Sequence, residues 1–185
     1  FIRQIDHYVD LFGFRFVFLQ HGIIKHDLSG WLNRFDKNIS LFITSSRMEY
    51  DSIFSYPYYY TDNEVVLSGL PRYDLLENNP KGKLVIAPTY RVNLIKAGTN
   101  KFGIRPYDPS FKLSEYYKFY NKLINDERIL KTLSAHHMFG ELYPHPNLAA
   151  QNRDFQNNTV FNVPSFPYDY KRMFQEGSIL VTDYS

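Results

Sequence analysis

The chain contains no cysteine, which excludes a disulfide framework, a cysteine-ligated zinc site and a thiol nucleophile. Charge of one sign is scarce as well. The 21 Lys and Arg stand against 19 Asp and Glu, a balance of +2, and the basic residues are scattered, so nothing points to nucleic acid. No apolar run approaches the ~20 residues that a membrane-spanning helix needs. There is no internal repeat and no low-complexity tract. An initiating methionine and a signal-peptide pattern are missing too, and Ser185 follows directly on an apolar run, so the sequence is expected to be the middle of a longer chain. Tryptophan occurs once, but other aromatics are plentiful, with 16 Tyr and 16 Phe in 185 residues. With 44% hydrophobic and 22% charged residues the chain can build an ordinary globular core. Aromatic bulk fills cores, lines clefts or faces partners, and so does not choose among these by itself.

Short β-rich runs ending in small or polar residues predict strands at Phe14–Leu19, Ile39–Thr44, Lys83–Ala87 and Ser178–Thr182. Weaker signals mark Glu64–Leu67, Phe139–Tyr143 and Thr159–Val163. The near-continuous apolar runs Leu84–Ala87 and Ile179–Val181 suit parallel strands covered on both faces. Helices are expected between them. Ser46-Arg47-Met48-Glu49 has the spacing of a capping box. Ser114–Asn125 carries apolar residues at helical spacing behind a serine cap, and Glu127–Ala135 and Tyr168–Gln175 follow, the last ending at Gly177. His136 and His137 are adjacent, so they cannot readily share one metal ion from a helix face, and a helix end or loop is expected for them. Tyr56, Tyr58, Tyr59 and Tyr60 form a local cluster that either packs a loop or faces a partner. Alternation of strands and helices gives an α/β chain with parallel sheets. The polar, turn-rich stretch 76–83 is the best domain boundary, and 98–109 is a second polar loop.

Several of these strands run into turns with chemically useful residues, and in α/β sheets such turns converge on the ligand crevice. Leu19-Gln20-His21-Gly22, with Lys25 beyond, offers a histidine at a strand end, suited to a general base or simply satisfied by local hydrogen bonds. In Gly69-Leu70-Pro71-Arg72-Tyr73-Asp74, Gly and Pro shape the turn, and Arg72 either serves a ligand or pairs with Asp74. Ala87-Pro88-Thr89-Tyr90-Arg91 ends a strand with polar groups, Arg91 being suited to phosphate or to an ion pair. His145 sits between two prolines ahead of Asn147. Thr182-Asp183-Tyr184-Ser185 reads as the start of a helix, either a cap or an anion site.

In this order and spacing, these segments resemble the CDP-glycerol glycerophosphotransferase family, the teichoic-acid polymerases and primases of bacteria. The resemblance runs from about residue 15 to residue 185. It implies a glycosyltransferase-B-like pair of Rossmann-type domains, present as a fragment. Residues 1–78 would be the later part of a first, acceptor-side domain, and 79–185 the first half of a second, CDP-polyol-binding domain that is incomplete here. It further implies transfer of glycerol phosphate, or a related polyol phosphate, from a CDP-activated donor to a lipid-linked polyol-phosphate acceptor with release of CMP. Location would be cytoplasmic, at the inner face of the membrane. The family's two motif histidines fall on His21 and His145, and its phosphate-contacting turn on Thr182, Asp183 and Ser185. Gly22, Lys25, Arg72, Thr89, Arg91 and Asn147 complete the expected substrate-binding set, with no metal and no cofactor. The segment Lys25–Ser29 departs from the commoner family form, so the acceptor side is expected to differ. A sugar-nucleotide glycosyltransferase of the same architecture, or a non-catalytic nucleotide- or polymer-binding module, is the alternative. The tyrosine- and lysine-bearing segment 112–128 is expected as a core-packed helix rather than a membrane contact.

Overall fold

A computed structural model describes residues 13–20, 22–100 and 104–183. The chain is α/β, and it divides between Leu75 and Leu76 into two compact units, each built on its own parallel sheet.

The first unit carries β1 (Phe16–Phe18), β2 (Ile39–Thr44) and β3 (Val65–Leu67), paired in parallel in that order. Helices α1 (Arg34–Lys37) and α2 (Arg47–Ser55) lie in the connections. Phe42 is fully buried at the centre of the core and packs against Phe18, Tyr58 and Tyr60, with Ile53 from α2 and Val65 from β3. The tyrosine cluster therefore splits. Tyr58 and Tyr60 are core residues, while Tyr56 and Tyr59 are exposed. Gly69 closes the unit in a left-handed turn (φ 79°), a conformation that glycine adopts without steric cost, ahead of the 3-10 turn Pro71–Leu75.

The second unit carries β4 (Lys83–Ala87), β5 (Phe139–Leu142), β6 (Phe161–Asn162) and β7 (Gly177–Thr182), all parallel in the order β6-β5-β4-β7. The chain steps outward from β4 through β5 to β6, then returns to the other side of β4. The order thus reverses between β4 and β7, which is where doubly wound sheets open a crevice beyond the carboxyl ends of the strands. Alternate residues of β4 face opposite layers. Ile86 packs with Phe111, Ile124, Leu133, Leu142 and Phe161 on one side, and Val85 packs with Tyr143, Tyr168 and Met173 on the other. Helices α3 (Glu115–Ile124) and α4 (Glu127–Ala135) supply the first layer and α5 (Tyr170–Glu176) the second. Ser114, Asp126 and Asp169 cap these three helices, each side chain accepting a backbone N–H from the first turn. Segment 112–128 is core-packed through Tyr116 and Ile124. His136 is the C-cap of α4, and His137 follows in a left-handed conformation.

Two expectations are corrected. The two-sided burial expected of the apolar runs holds for β4 but not for β7, where Ile179, Leu180 and Val181 are each about half exposed because, among the described residues, β7 pairs with β4 alone. The capping box at Ser46 is only half formed, since the Ser46 hydroxyl accepts from the Glu49 N–H while the Glu49 carboxylate turns elsewhere. The helix expected to end at Gly177 does so, Gly177 being the C-cap of α5. The φ of Gly177 is −65° and it opens β7 directly after α5.

Candidate functional site

At the carboxyl ends of β4, β5 and β7 the polar residues of three loops come together. Pro88 ends β4, and the backbone N–H of Thr89 then donates to Oδ1 of Asp183, just past β7, at 2.7 Å. The other oxygen of that carboxylate accepts from Arg91 Nη2 at 2.8 Å, and Arg91 Nη1 donates to the Thr89 carbonyl. One carboxylate thus ties the two loops flanking the switch point and orients a guanidinium between them. Thr182 joins the same seam, its hydroxyl donating to the Ala87 carbonyl at 2.8 Å. A cavity of about 550 Å³ opens beside this pair, lined by Arg91, Leu94, Tyr116, Phe119, Tyr120 and Asp183. The Tyr116 ring lies beneath the Arg91 guanidinium, 5.9 Å from its centroid, and burial raises the Tyr116 hydroxyl far above its ordinary range.

His145 enters from the loop after β5. It caps the 3-10 helix Pro146–Asp154, with Nδ1 accepting the Asn147 backbone N–H at 3.1 Å. Its ring packs on Tyr90, with centroids 4.6 Å apart, and burial lowers its pKa below the ordinary 6.5. The ring is therefore neutral at pH 7. Because Nδ1 is occupied as an acceptor, its proton resides on Nε2, which leaves His145 a hydrogen-bond donor. The Asn147 side chain accepts from Arg105 Nε at 3.3 Å, and Arg105 also donates to the Lys96 carbonyl.

The structure thus gathers Thr89, Arg91, His145, Asn147, Thr182 and Asp183 at one end of one sheet. His21 and Ser185 lie outside the described residues. Gly22, Lys25 and Arg72 belong to the first unit. Gly22 has open space where a Cβ would stand, Lys25 is exposed, and Arg72 is exposed with its guanidinium over the Tyr73 ring. Sequence reasoning missed Tyr90, Arg105 and Tyr116. Tyr90 stood inside a quoted motif, and its place next to Arg91 was the available signal. Arg105 stood in the polar loop 98–109 with no local pattern to mark it. Among the described residues no cluster of three or more histidine, aspartate or glutamate side chains could hold a metal ion, and no helix is long and apolar enough to cross a membrane.

The chain is 39% identical over 186 residues to the minor teichoic acid biosynthesis protein GgaB of Bacillus subtilis (strain 168). That match covers all of this chain but only 21% of the relative, so the chain spans about a fifth of the length of that protein. Among solved structures, the wall teichoic acid polymerase TagF matches at 16% identity with a TM-score of 0.46, covering 92% of this chain and 43% of that one. The family model described as CDP-glycerol:poly(glycerophosphate) glycerophosphotransferase matches residues 8–185, the whole of the converging site included. On that match, the chain belongs to the CDP-glycerol:poly(glycerophosphate) glycerophosphotransferase family.

Proposed function

We propose that the protein containing this chain transfers glycerol phosphate, or a related polyol phosphate, from a CDP-activated donor to a teichoic-acid-type acceptor and releases CMP. The observation that carries this reading is the meeting of Arg91, Asp183, Thr89 and His145 at the switch point of a parallel sheet in a chain of this family. Residues 1–78 are then the acceptor-side part and 79–185 the part that receives the CDP-polyol, in a glycosyltransferase-B-like pair.

The chemistry follows from the donor. An acceptor hydroxyl oxygen attacks the phosphorus bearing the polyol. The bond from that phosphorus to the bridging oxygen breaks, and CMP departs with the bridging oxygen. The hydroxyl proton must go to a base, and His21 is assigned that role, worth on the order of 10²–10⁴-fold in rate. Charge builds on the transferred phosphoryl oxygens and on the leaving CMP. The Arg91 guanidinium, held in place by Asp183, supplies a fixed positive charge there, and Nε2–H of His145 supplies a neutral donor. Assigning His145 to donation rather than proton removal rests on its tautomer. Thr182 and Ser185 complete the phosphate end, Asn147 holds the His145 loop, and Gly22, Lys25 and Arg72 serve the acceptor side. The acceptor is lipid-linked in this reading, which puts the enzyme at the inner membrane face.

The test is release of the donor's nucleotide by the full-length parent with a polyol-phosphate acceptor, read as CMP from CDP-glycerol or CDP-ribitol and as UDP from a UDP-sugar. CMP formed from a CDP-polyol only, and lost in His21→Ala, is the expected result. Near-normal turnover by His21→Ala removes the base assignment, and turnover of the UDP-sugar alone removes the reaction.

A further inference from the structure

A second cavity, of about 540 Å³, opens in the second unit between the segments that follow β5 and β6. That volume lies within the ~300–1,000 Å³ typical of small-molecule sites. Asn152, Arg153, Asn157 and Ser165 line it, with apolar neighbours that include Phe155 and Phe166. It shares no lining residue with the cavity beside Arg91 and Asp183, so the reaction proposed above leaves it unused.

Arg153 brings a charge to this cavity. Its guanidinium lies over the Tyr107 ring, 3.6 Å from the centroid, a stacked position that holds it without consuming its N–H groups. The ring is itself held, since the Tyr107 hydroxyl donates to Oδ1 of Asp154 at 2.9 Å. Elsewhere in the second unit Arg91, Arg128 and Arg172 each pair with a carboxylate, and Arg105 donates to Asn147 and to the Lys96 carbonyl. Among the described residues no hydrogen bond or ion pair engages Arg153. Its planar fork of donors is suited to a phosphate. Asn157 stands near with a donor of its own, because its Oδ1 accepts the Val163 backbone N–H at 2.9 Å and so leaves its NH2 group to donate.

Asn152 brings the opposite need. It is 9% exposed, and its Nδ2 donates to the Pro164 carbonyl at 3.0 Å and to the Tyr168 hydroxyl oxygen at 2.6 Å. The Tyr168 proton goes to the Pro144 carbonyl at 2.8 Å. A carbonyl only accepts, so the amide cannot be turned the other way round. Oδ1 is thereby fixed as an acceptor, and it has no hydrogen-bond partner among the described residues. Buried acceptors are seldom left in that condition, and a hydroxyl donor seated against Asn152 would relieve it.

A ligand that answers both residues carries an anion and a hydroxyl. A polyol phosphate carries both in every unit, and a polymer of such units presents them away from its reacting end as well. The CDP-activated donor, by contrast, has its diphosphate committed near Arg91 and His145 in the proposed reaction. We infer that this cavity binds a polyol-phosphate unit of the acceptor chain apart from its reacting end, with phosphate on Arg153 and a hydroxyl on Asn152. This rests on the acceptor assigned under the proposed function. Holding the chain at a second point raises the effective concentration of its reacting end.

The experiment gives the full-length parent CDP-glycerol and acceptors of one or of several glycerol-phosphate units. The several-unit acceptor is expected to have a KM on the order of tenfold lower, the worth of a hydrogen bond to a charged group, and Arg153→Gln should abolish that advantage. KM for CDP-glycerol should stay within about twofold. Arg153→Lys, which keeps the charge but not the planar fork, should recover part of the advantage. Ser165→Trp, at an exposed position of the cavity wall, should remove it by obstruction, and melting temperatures check that each variant is folded. Calorimetric titration with a glycerol-phosphate oligomer in the absence of donor reads the site without turnover, and Arg153→Gln should weaken that binding by a similar factor. Equal KM for short and long acceptors in the parent, or folded Arg153→Gln and Ser165→Trp indistinguishable from it, overturns the inference and leaves the proposed function standing. A rise in KM for CDP-glycerol with acceptor constants unchanged also overturns it, by giving the cavity to the donor. If the parent transfers nothing from any CDP-polyol, the proposed function falls and the titration still decides the site: binding weakened by Arg153→Gln supports it, and no binding ends it.

Discussion

The two ends of the four-stranded sheet hold similar residues in opposite conditions. Toward the amino end, Lys83 is completely buried, its ammonium 2.7 Å from Glu141 and 2.9 Å from Glu176. The Tyr143 hydroxyl donates to Glu141 at 2.6 Å, and Arg172 and Lys81 reach Glu176. Every charge there is answered by another within the fold, and Glu176 is pulled down to about 2, chiefly by the Lys83 hydrogen bond. At the carboxyl end, Arg91 and Asp183 also pair, but with side chains 39% and 24% exposed beside an open cavity, and His145 keeps one ring nitrogen uncommitted to Asn147. A closed network of charges holds a sheet together, while a half-open one with an unspent donor is suited to a ligand. Residue type alone does not separate them.

The sharpest way to break this contrast is Lys83→Met. It would leave Glu141 and Glu176 facing one another without their cation, and a loss of about 3–5 kcal/mol in urea unfolding is expected from breaking a buried pair on one side. A loss under 1 kcal/mol would mean that the amino-end network is not structural. The matching change at the other end is His145→Ala. Turnover of CDP-glycerol by the parent should fall about 10²–10³-fold, as for removal of one transition-state donor, with little change in melting temperature. A fall in stability without a fall in kcat would reverse the comparison.

Acid titration sharpens it further. Glu176 titrates at about 2 in the fold and near 4.5 when unfolded, so the unfolded chain binds more protons in that interval. The stability that Glu176 contributes is therefore complete above pH 4.5 and is lost as pH falls toward 2. His145, lowered from 6.5, behaves with the same sign at higher pH, its contribution being complete above 6.5 and lost as the pH falls through its depressed value. Two separate acid limbs in the pH dependence of unfolding, the lower abolished by Glu176→Gln and the upper by His145→Ala, are the expected outcome. The smallest effect is reserved for Ser114→Ala at the cap of α3. It should cost about 1 kcal/mol of stability and leave turnover by the folded enzyme unchanged.

The seven strands among the described residues were readable from runs of β-branched and aromatic residues ending in polar turns, and the parallel arrangement followed from their alternation with helices. Of the residues that converge beyond the sheet, Thr89, Arg91, His145 and Asp183 stand out in the sequence because each lies within a few residues of a strand's carboxyl end, a local property. Glu49 was misread for the same reason. Its spacing from Ser46 is that of a capping box, and nothing near it in sequence reports that Gln20 and Ile24 are its partners. Tyr90 against His145 and Arg105 against Asn147 are likewise contacts between loops distant in sequence.

What the sequence by itself determined is therefore what depends on neighbours along the chain: the strands, the capped helices and the polar turns that follow the strands. Tertiary structure alone decided which of those turns meet and that Glu49 reaches back to Gln20 and Ile24. Strand order and the pairing of buried charges are set by packing between segments tens of residues apart. Such packing energy has no periodicity that a single sequence displays.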